Sequence, residues 1–169
     1  MRVITLVQAT AREAALKKEV STKRFAYAPP RKKTMPTVFS RIVAGDIPAH
    51  KVAETERCLA FLDINPLVKG HTLVIPKTEV DYLFDVDDDL LQELIVFAKK
   101  VAKAVQGAVP CKRVGVAVIG LEVPHAHIHL VPLNAMSDIN FSNPKLNPTS
   151  DELIQTAESI RLAYQNLNE

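Results

Sequence analysis

Two periods of apolar residues run along the chain from residue 37 and predict its helices and strands. Helical spacing over 38–43, ended by Gly45, predicts a short helix, and the amphipathic pattern over 90–105 predicts a long one. Thr149 predicts the N-terminal cap of a final helix. Runs of strand-forming residues predict β-strands at 52–55, 58–64, 71–76, 113–119 and 125–133. We therefore expect an α+β fold: a five-stranded antiparallel, meander-like sheet with a long helix on one side, plus a C-terminal helix.

Charge separates the first 34 residues from the rest of the chain. Residues 1–34 hold nine basic and two acidic side chains, whereas the remaining 135 hold twelve basic and seventeen acidic ones. An acidic body lacks the basic surface that nonspecific nucleic-acid binding needs, so we expect no nucleic-acid partner. We interpret residues 1–34 as a basic, flexible extension and Met35 as the natural start. The alternative is a short helix over 8–20 that docks on the body or on a partner.

Length and cysteine content narrow the class of protein further. The 169 residues fit one domain large enough to bury a core of its own. No apolar run approaches the roughly 18 residues of a membrane span, so we expect a soluble protein that has no membrane partner. Cys58 and Cys111 stand far apart in unrelated contexts, which indicates a reducing compartment and hence the cytoplasm.

The segment PHAHIHLV, residues 124–131, carries the candidate chemistry. Three of the five histidines of the chain, His125, His127 and His129, occupy alternate positions of a predicted strand. Because side chains in a strand alternate between faces, the three imidazoles should project from one face, roughly 7 Å apart, while the apolar residues between them face the core. A row of titratable rings serves no packing purpose.

Three hypotheses account for this row of histidines. The first is a surface strand that happens to be rich in histidine. The second is a metal site, since two histidines two residues apart on a strand can bind one cation. The third is nucleophilic catalysis on phosphorus by a neutral imidazole whose tautomer its neighbours fix. The spacing alone does not separate the second from the third.

The run HAHIHLV resembles the signature of the histidine-triad (HIT) superfamily of nucleotide-binding proteins, in which three histidines alternate with apolar residues. FSRIVAGDIPAHKV, LAFLDINPLVKGHTLVIPK and PHAHIHLVP resemble, in order and spacing, that family's first helix, nucleoside-binding hairpin and catalytic strand. The resemblance covers about residues 37–133 and implies a HIT domain over 35–145, followed by a C-terminal helix over 146–169. It also implies a homodimer that joins sheets edge to edge and packs its long helices together.

The resemblance implies a role for each of four histidines. His127 would attack the α-phosphate of a purine nucleotide conjugate and form a covalent nucleotidyl-histidine, for example with AMP, that water then hydrolyses. His129 would hydrogen-bond the phosphate, and His125 would orient its neighbours through backbone carbonyl contacts. His71 would line the phosphate site, although it could equally be a polar residue that opens a buried strand. The implied substrates are nucleoside phosphoramidates, aminoacyl-type adenylates or dinucleoside polyphosphates, and no cofactor is implied.

The resemblance also implies a nucleoside-binding surface. Asp63 would accept both ribose hydroxyls; the alternative is that its carboxylate only caps the turn before Pro66. The remaining implied nucleotide-binding residues are Asn65 beside Asp63, the residues of an apolar slot for the base, and two residues of the loop before the histidines. They are Asn65, Val38, Phe39, Ile42, Leu62, Ile64, Glu122 and Val123.

Two segments depart from the family pattern. Many bacterial relatives bind a structural zinc ion with C-x-x-C at the position of 37–40 and with a histidine at that of Glu79. Here Thr37, Ser40 and Glu79 replace these ligands, so we predict no bound metal. The loop 118–123 lacks the usual Asn and carries Glu122, so the resemblance does not determine which leaving group the protein prefers. Two alternatives therefore stay open beside the nucleotidyl hydrolase: a catalytically weak nucleotide-binding sensor or scaffold, and a metal-dependent hydrolase.

Overall fold

A computed structural model of the protein describes residues 35–167. The basic extension and the alternative helix over 8–20 lie outside the described residues. Three α-helices and five strands are the main elements of the described part of the chain, beside two short 3-10 helices. In chain order they are α1 (Val38–Ala44), β1 (Lys51–Glu54), β2 (Cys58–Leu62), β3 (Thr72–Pro76), α2 (Asp88–Ala108), β4 (Arg113–Ala117), β5 (Ile128–Leu133) and α3 (Ser150–Asn166).

The five strands of residues 35–167 form one antiparallel sheet in the order β1-β2-β3-β5-β4. This order confirms the α+β class but departs from a plain meander, because β5 inserts between β3 and β4. Leu73 of β3 therefore faces His129 of β5 across the ladder. The exchange of β4 and β5 moves the histidine-bearing strand from the edge of the sheet to a central position beside the hairpin of β2 and β3.

The two faces of the sheet carry different cores. On one face, α2 and α3 pack over side chains that include Leu62, Val74, Ile128 and Leu130. On the other face, α1 packs Phe39 and Ile42 on the rest of a smaller cluster, formed by Leu59, Phe61, Leu73 and Ile75. Successive side chains along a strand point to opposite faces of the sheet. His127 and His129, which alternate with Ile128 and Leu130 in the sequence, therefore lie on the α1 face.

Local capping explains where the helices begin and end. The Thr37 hydroxyl accepts a hydrogen bond from the amide of Ser40 at 3.0 Å and caps the start of α1, and Gly45 ends the helix at φ 84°, a left-handed conformation that suits a residue without Cβ. Thr149 and Glu152 form a reciprocal capping box at the start of α3. The predicted end of α1 at Gly45 and the predicted start of α3 at Thr149 are thus confirmed. No helix among residues 35–167 is long and apolar enough to span a bilayer.

The histidine strand begins later than the sequence predicts. Regular pairing of β5 starts at Ile128, so 125–127 are not part of the ladder. The amide of His125 donates to the carbonyl of Val123 at 2.8 Å, and the amide of Ala126 donates to the carbonyl of Val80 at 2.6 Å. These two bonds, one local and one to a distant residue, occupy the backbone amides of His125 and Ala126, and regular strand pairing begins only at Ile128.

Candidate active site

The rings of His127 and His129 lie side by side on the α1 face of the sheet. Their centroids are 4.8 Å apart, closer than the roughly 7 Å expected for alternate positions of a regular strand. The Phe39 ring contacts His127 edge-on at 5.3 Å and His125 at 5.8 Å. The three histidines therefore share one side of the sheet, although only His129 is within β5. All three rings are buried, with exposed fractions between 0 and 8%.

One hydrogen bond fixes the tautomer of His127. Its Nδ1 lies 2.7 Å from the carbonyl oxygen of His125, and a carbonyl only accepts, so Nδ1 carries the proton. In the neutral ring, Nε2 then holds a free lone pair. The backbone of His125 thus prepares the His127 ring for nucleophilic attack through its far nitrogen.

A second chain of hydrogen bonds fixes the tautomers of His71 and His129. The amide of Leu67 donates to His71 Nδ1 at 3.2 Å, so the proton of the neutral His71 ring is on Nε2. That Nε2 donates to His129 Nδ1 at 3.0 Å, which leaves the proton of His129 on its own Nε2. His129 is therefore oriented to donate a hydrogen bond from Nε2.

Burial keeps both of these rings neutral at physiological pH. It lowers the pKa of His71 to about 4, and the ammonium of Lys145 adds a smaller effect in the same direction. It lowers the pKa of His129 to about 3, against the opposing charge of Asp63. The 3.5 Å approach of His71 Nδ1 to Asp63 is accordingly not an ion pair at neutral pH.

Asp63 lies at the end of β2 and is partly exposed. Its Oδ1 accepts the amide of Asn65 at 2.9 Å, which is the turn-capping bond that the sequence offered as an alternative. One oxygen of a carboxylate has two lone pairs and the second oxygen has two more, so the cap leaves acceptor sites available. Capping the turn and accepting ribose hydroxyls are therefore compatible.

The apolar slot differs from the sequence prediction at one position. Phe39 and Ile42 are buried on the α1 face, while Val38 and Ile64 are 43% and 62% exposed beside it. The prediction that Leu62 lines the slot is wrong, because its side chain points to the opposite face of the sheet and packs in the core under α2. Its neighbour Phe61 takes the slot face instead, edge-on to Phe39 at 5.5 Å.

Strand alternation is the signal that could have identified Phe61. The sequence prediction chose Leu62 by its resemblance to a position in the family. Residues of β2 on the α1 face are Leu59 and Phe61, two apart, whereas Leu62 is out of step with them. Counting the period from Leu59 would have selected the phenylalanine.

The loop before the histidines leaves its charged residue in solvent. Gly120 adopts φ 68°, Glu122 is exposed, and Val123 is half-buried against the cluster under α1. The Val123 carbonyl accepts the amide of His125 at 2.8 Å, so Val123 helps to set the entry of the chain into β5. The exposure of Glu122 avoids a buried carboxylate beside a phosphate site.

A cavity of about 270 Å³ is lined in part by Asp63 and His71. Its other wall comes from the segment 146–148 and the start of α3. His125, His127 and His129 do not line it.

The α+β sheet with its row of histidines is the fold of known histidine-triad proteins. The family model that describes the HIT domain matches residues 44–136 of the sequence, more than half of the chain. The protein is 37% identical over 108 residues to Protein hit of Bacillus subtilis, an alignment that covers 60% of this chain and 73% of that one. The chain belongs to the HIT family.

Two further comparisons bear on chemistry. The chain is 39% identical over 100 residues to adenosine 5'-monophosphoramidase hnt1 of Schizosaccharomyces pombe, covering 58% of this chain and 74% of that one. It also resembles the crystal structure of a zinc-bound histidine triad family protein from Mycobacterium smegmatis, with a TM-score of 0.65 and 29% identity over 78% of this chain and 94% of that one.

The residues at the zinc position implied by the sequence resemblance do not fit zinc in this chain. The Ser40 hydroxyl and the Thr37 amide both donate to Glu79 Oε2, the latter at 3.2 Å. His125 Nδ1 lies 3.0 Å from the Thr37 hydroxyl, and its Nε2 donates to the Pro76 carbonyl at 2.8 Å. Two hydroxyls replace the thiolates that a structural zinc site uses, and these groups hydrogen-bond one another instead.

Asp63, His71 and His129 form a second group whose ligand atoms lie within 4.8 Å of one another. Both nitrogens of His71 are engaged, one by the Leu67 amide and one by His129. Metal binding at His71 would have to break one of these bonds. The prediction that the site holds no metal stays a prediction.

Proposed function

We propose that the protein is a nucleotidyl hydrolase that cleaves at the α-phosphate of nucleoside phosphoramidates or dinucleoside polyphosphates. The carrying observation is the hydrogen bond from His127 Nδ1 to the His125 carbonyl, because it leaves Nε2 as a free nucleophile. The name of the fission yeast relative, an adenosine 5'-monophosphoramidase, supports the same class of substrate.

In the first step, His127 Nε2 attacks the α-phosphorus and forms a P–N bond. The bond from phosphorus to the leaving group breaks, and its electron pair goes with the leaving group. A polyphosphate departs as an anion, whereas an amine takes a proton from water. The ring, now substituted on Nε2, keeps its Nδ1 proton and becomes positively charged, which strengthens its bond to the His125 carbonyl at 2.7 Å.

His129 contributes a hydrogen bond and not a proton in this step. With a pKa of about 3 its ring stays neutral at pH 7, and the chain through His71 directs its Nε2–H outward. That N–H can donate to a non-bridging oxygen as negative charge accumulates in the transition state. His71 acts as a positioning residue, since it touches the phosphate only through His129.

In the second step, water attacks the phosphorus of the nucleotidyl-histidine. The P–N bond breaks, its electron pair returns to Nε2, and the water loses one proton to solvent. The nucleoside monophosphate leaves and His127 regains the tautomer it started with. No metal ion enters this sequence of bonds.

The nucleoside would bind along the α1 face. Asp63 would accept the 2′- and 3′-hydroxyls through the lone pairs that the Asn65 amide leaves available. The base would lie on Phe39, Ile42 and Phe61, with Val38 and Ile64 at the exposed rim. Such an apolar slot offers few polar contacts, so we expect weak discrimination between adenine and guanine.

Substitution of the nucleophile tests the mechanism. His127→Asn should abolish turnover of an AMP phosphoramidate while AMP affinity stays within about tenfold of wild type, a change of about 1.4 kcal/mol. His50→Asn, outside the histidine row, is the matched control and should keep normal turnover. Retained turnover in His127→Asn would refute the mechanism.

A nucleotide-binding sensor or scaffold is the second candidate function. The loop 118–123, with Glu122 in place of a polar donor, favours it. A wild-type protein that binds AMP but cleaves neither substrate class would support this candidate against the enzyme. A metal-dependent hydrolase, suggested by the Asp63, His71 and His129 group, predicts loss of activity in EDTA, whereas the nucleotidyl-histidine mechanism predicts none.

We further propose that the protein is a cytoplasmic homodimer whose HIT domain spans residues 35–145 and precedes the C-terminal helix region 146–169. β4 is an edge of the described sheet and exposes Val116, and α2 exposes Ile95 and Val96. These features support pairing of edge strands and long helices between two copies. Light scattering should give the mass of a dimer, and a monomeric mass would contradict the proposal.

A further inference from the structure

The ring of His125 is bound by two other elements of the fold. Its Nε2 lies 2.8 Å from the carbonyl of Pro76 at the end of β3, and a carbonyl only accepts, so Nε2 carries the proton of the neutral ring. Its Nδ1 then accepts, and it lies 3.0 Å from the hydroxyl of Thr37, the residue that caps α1. The fully buried side chain of His125 therefore connects β3 with the start of α1.

The hydroxyl protons around this ring can be assigned to one acceptor each. Two hydroxyls lie near His125 Nδ1, that of Thr37 at 3.0 Å and that of Ser40 at 3.5 Å. The Ser40 hydroxyl gives its single proton to Glu79 Oε2. A buried ring nitrogen without a donor is costly, so the Thr37 hydroxyl donates to His125 Nδ1 while its oxygen accepts the Ser40 amide at 3.0 Å.

The carbonyl of His125, which receives His127 Nδ1 at 2.7 Å, lies outside the ladder of the sheet. Regular pairing of β5 begins only at Ile128, so no strand neighbour holds that carbonyl in place. The bond that fixes the tautomer of His127 therefore depends on contacts other than those of the sheet.

Two such contacts hold the peptide that links His125 to Ala126. The amide of Ala126 donates to the carbonyl of Val80 at 2.6 Å, which fixes one end of the peptide plane. A single hydrogen bond leaves rotation about its own axis free. The His125 ring, bound by Thr37 and Pro76, supplies the second point and so sets the direction of the carbonyl.

We propose that Thr37 is a positioning residue for His127. Its hydroxyl holds the His125 ring, and through that ring it holds the carbonyl that keeps the proton of His127 on Nδ1. The inference rests on the proposed function, in which His127 Nε2 is the nucleophile. Thr37 itself touches neither the substrate nor the reacting nitrogen.

The direction of this carbonyl decides which nitrogen of His127 is free. The hydrogen bond made by one ring nitrogen sets the protonation of the other. If the carbonyl turns away, the proton can reside on Nε2, and the lone pair that attacks phosphorus is lost in that fraction of the molecules. AMP affinity should not follow, because Asp63 and the base slot on Phe39 and Phe61 do not depend on the tautomer of His127.

The test replaces a hydroxyl by a methyl group at two helix caps. Thr37→Val keeps the volume of the side chain, leaves no room for a water molecule and removes the donor to His125. Thr149→Val is the matched control, because its hydroxyl accepts the Glu152 amide at 3.2 Å at the start of α3, and both variants thus lose one helix cap. Thr37→Ser keeps the hydroxyl and should behave like wild type.

Three quantities are measured for each variant: kcat for AMP morpholidate, Kd for AMP, and the nitrogen chemical shifts of the labelled His127 ring by NMR. Thr37→Val should lower kcat by about tenfold or more, as expected when a reacting group loses its fixed position, and leave Kd near that of wild type. Its His127 shifts should show a mixture of tautomers where wild type shows the Nδ1 proton. Thr149→Val should keep the kcat and the tautomer of wild type.

The outcomes separate this inference from the proposed function. If wild type is active and Thr37→Val keeps its kcat and its His127 tautomer, the inference is wrong while the hydrolase stands. Lower kcat with weaker AMP binding and an unchanged tautomer would also overturn it, because this pattern indicates a displaced α1, which carries Phe39. If wild type cleaves no substrate, the proposed function fails, and an unchanged tautomer in Thr37→Val would then overturn the inference as well.

Discussion

Replacing Glu79 by alanine tests the hydrogen-bonded cluster that surrounds His125. The carboxylate accepts the Thr37 amide at 3.2 Å and the Ser40 hydroxyl, and so joins the start of α1 to the segment after β3. A hydrogen bond to a charged group contributes about 1.5–3 kcal/mol. Because both bonds are only partly buried, water can hydrogen-bond to the Thr37 amide and the Ser40 hydroxyl once the carboxylate is removed. We therefore expect Glu79→Ala to lower the free energy of unfolding by about 2 kcal/mol.

Urea unfolding followed by circular dichroism measures this change. With a slope of about 2 kcal/mol per molar urea, the midpoint should fall by about 1 M. Glu79→Gln keeps one acceptor oxygen and should lose about half as much. Glu158→Ala removes an exposed carboxylate of α3 and should change stability by less than about 0.5 kcal/mol. A loss in Glu79→Ala no larger than in Glu158→Ala would refute the structural role of the cluster.

Two further predictions follow from burial. In the folded protein the pKa values of His71 and His129 are about 4 and 3, whereas in the unfolded chain both rings bind a proton near pH 6.5. The free energy of unfolding should therefore decrease as pH falls from 7 to 5, by roughly 2 kcal/mol per ring at pH 5. His71→Asn should make this decrease smaller, as measured by urea unfolding at each pH. Phe61→Ala should weaken AMP binding measured by calorimetry. Leu62→Ala, on the opposite face of the sheet, should leave AMP affinity unchanged and lower the free energy of unfolding by about 3 kcal/mol. Equal effects of the two substitutions on AMP affinity would contradict the assignment of faces.

Local sequence signals predicted the parts of the fold that depend on neighbouring residues. Gly45 and Thr149 set helix ends through bonds that span at most four residues, and the structure confirms these two predicted ends. The amphipathic pattern likewise predicted α2, which runs from Asp88 through Gly107 to Ala108. The family signature in the histidine segment led to the HIT fold, which the comparisons confirm.

Features that depend on distant residues were missed. The insertion of β5 between β3 and β4 is a pairing choice over more than fifty residues, and the late start of β5 depends on the bond from Ala126 to Val80. Phe141 and Lys145 belong to a segment without periodicity, so no pattern in the sequence indicated that Phe141 contacts His129 or that Lys145 lies over the Phe141 ring. The sequence prediction named Leu62 from the family resemblance and did not consider Phe61, which strand alternation places on the α1 face.

The most direct test of the central proposal is to isolate the covalent intermediate. Wild-type protein is mixed with an AMP phosphoramidate, quenched in acid-free denaturant within a single turnover, digested, and mapped by mass spectrometry. We predict one AMP attached to the peptide that contains His127, and none in His127→Asn treated in the same way. Complete turnover by wild type with no nucleotidyl-peptide at any time point, or an adduct located on His129, would contradict attack by His127 Nε2.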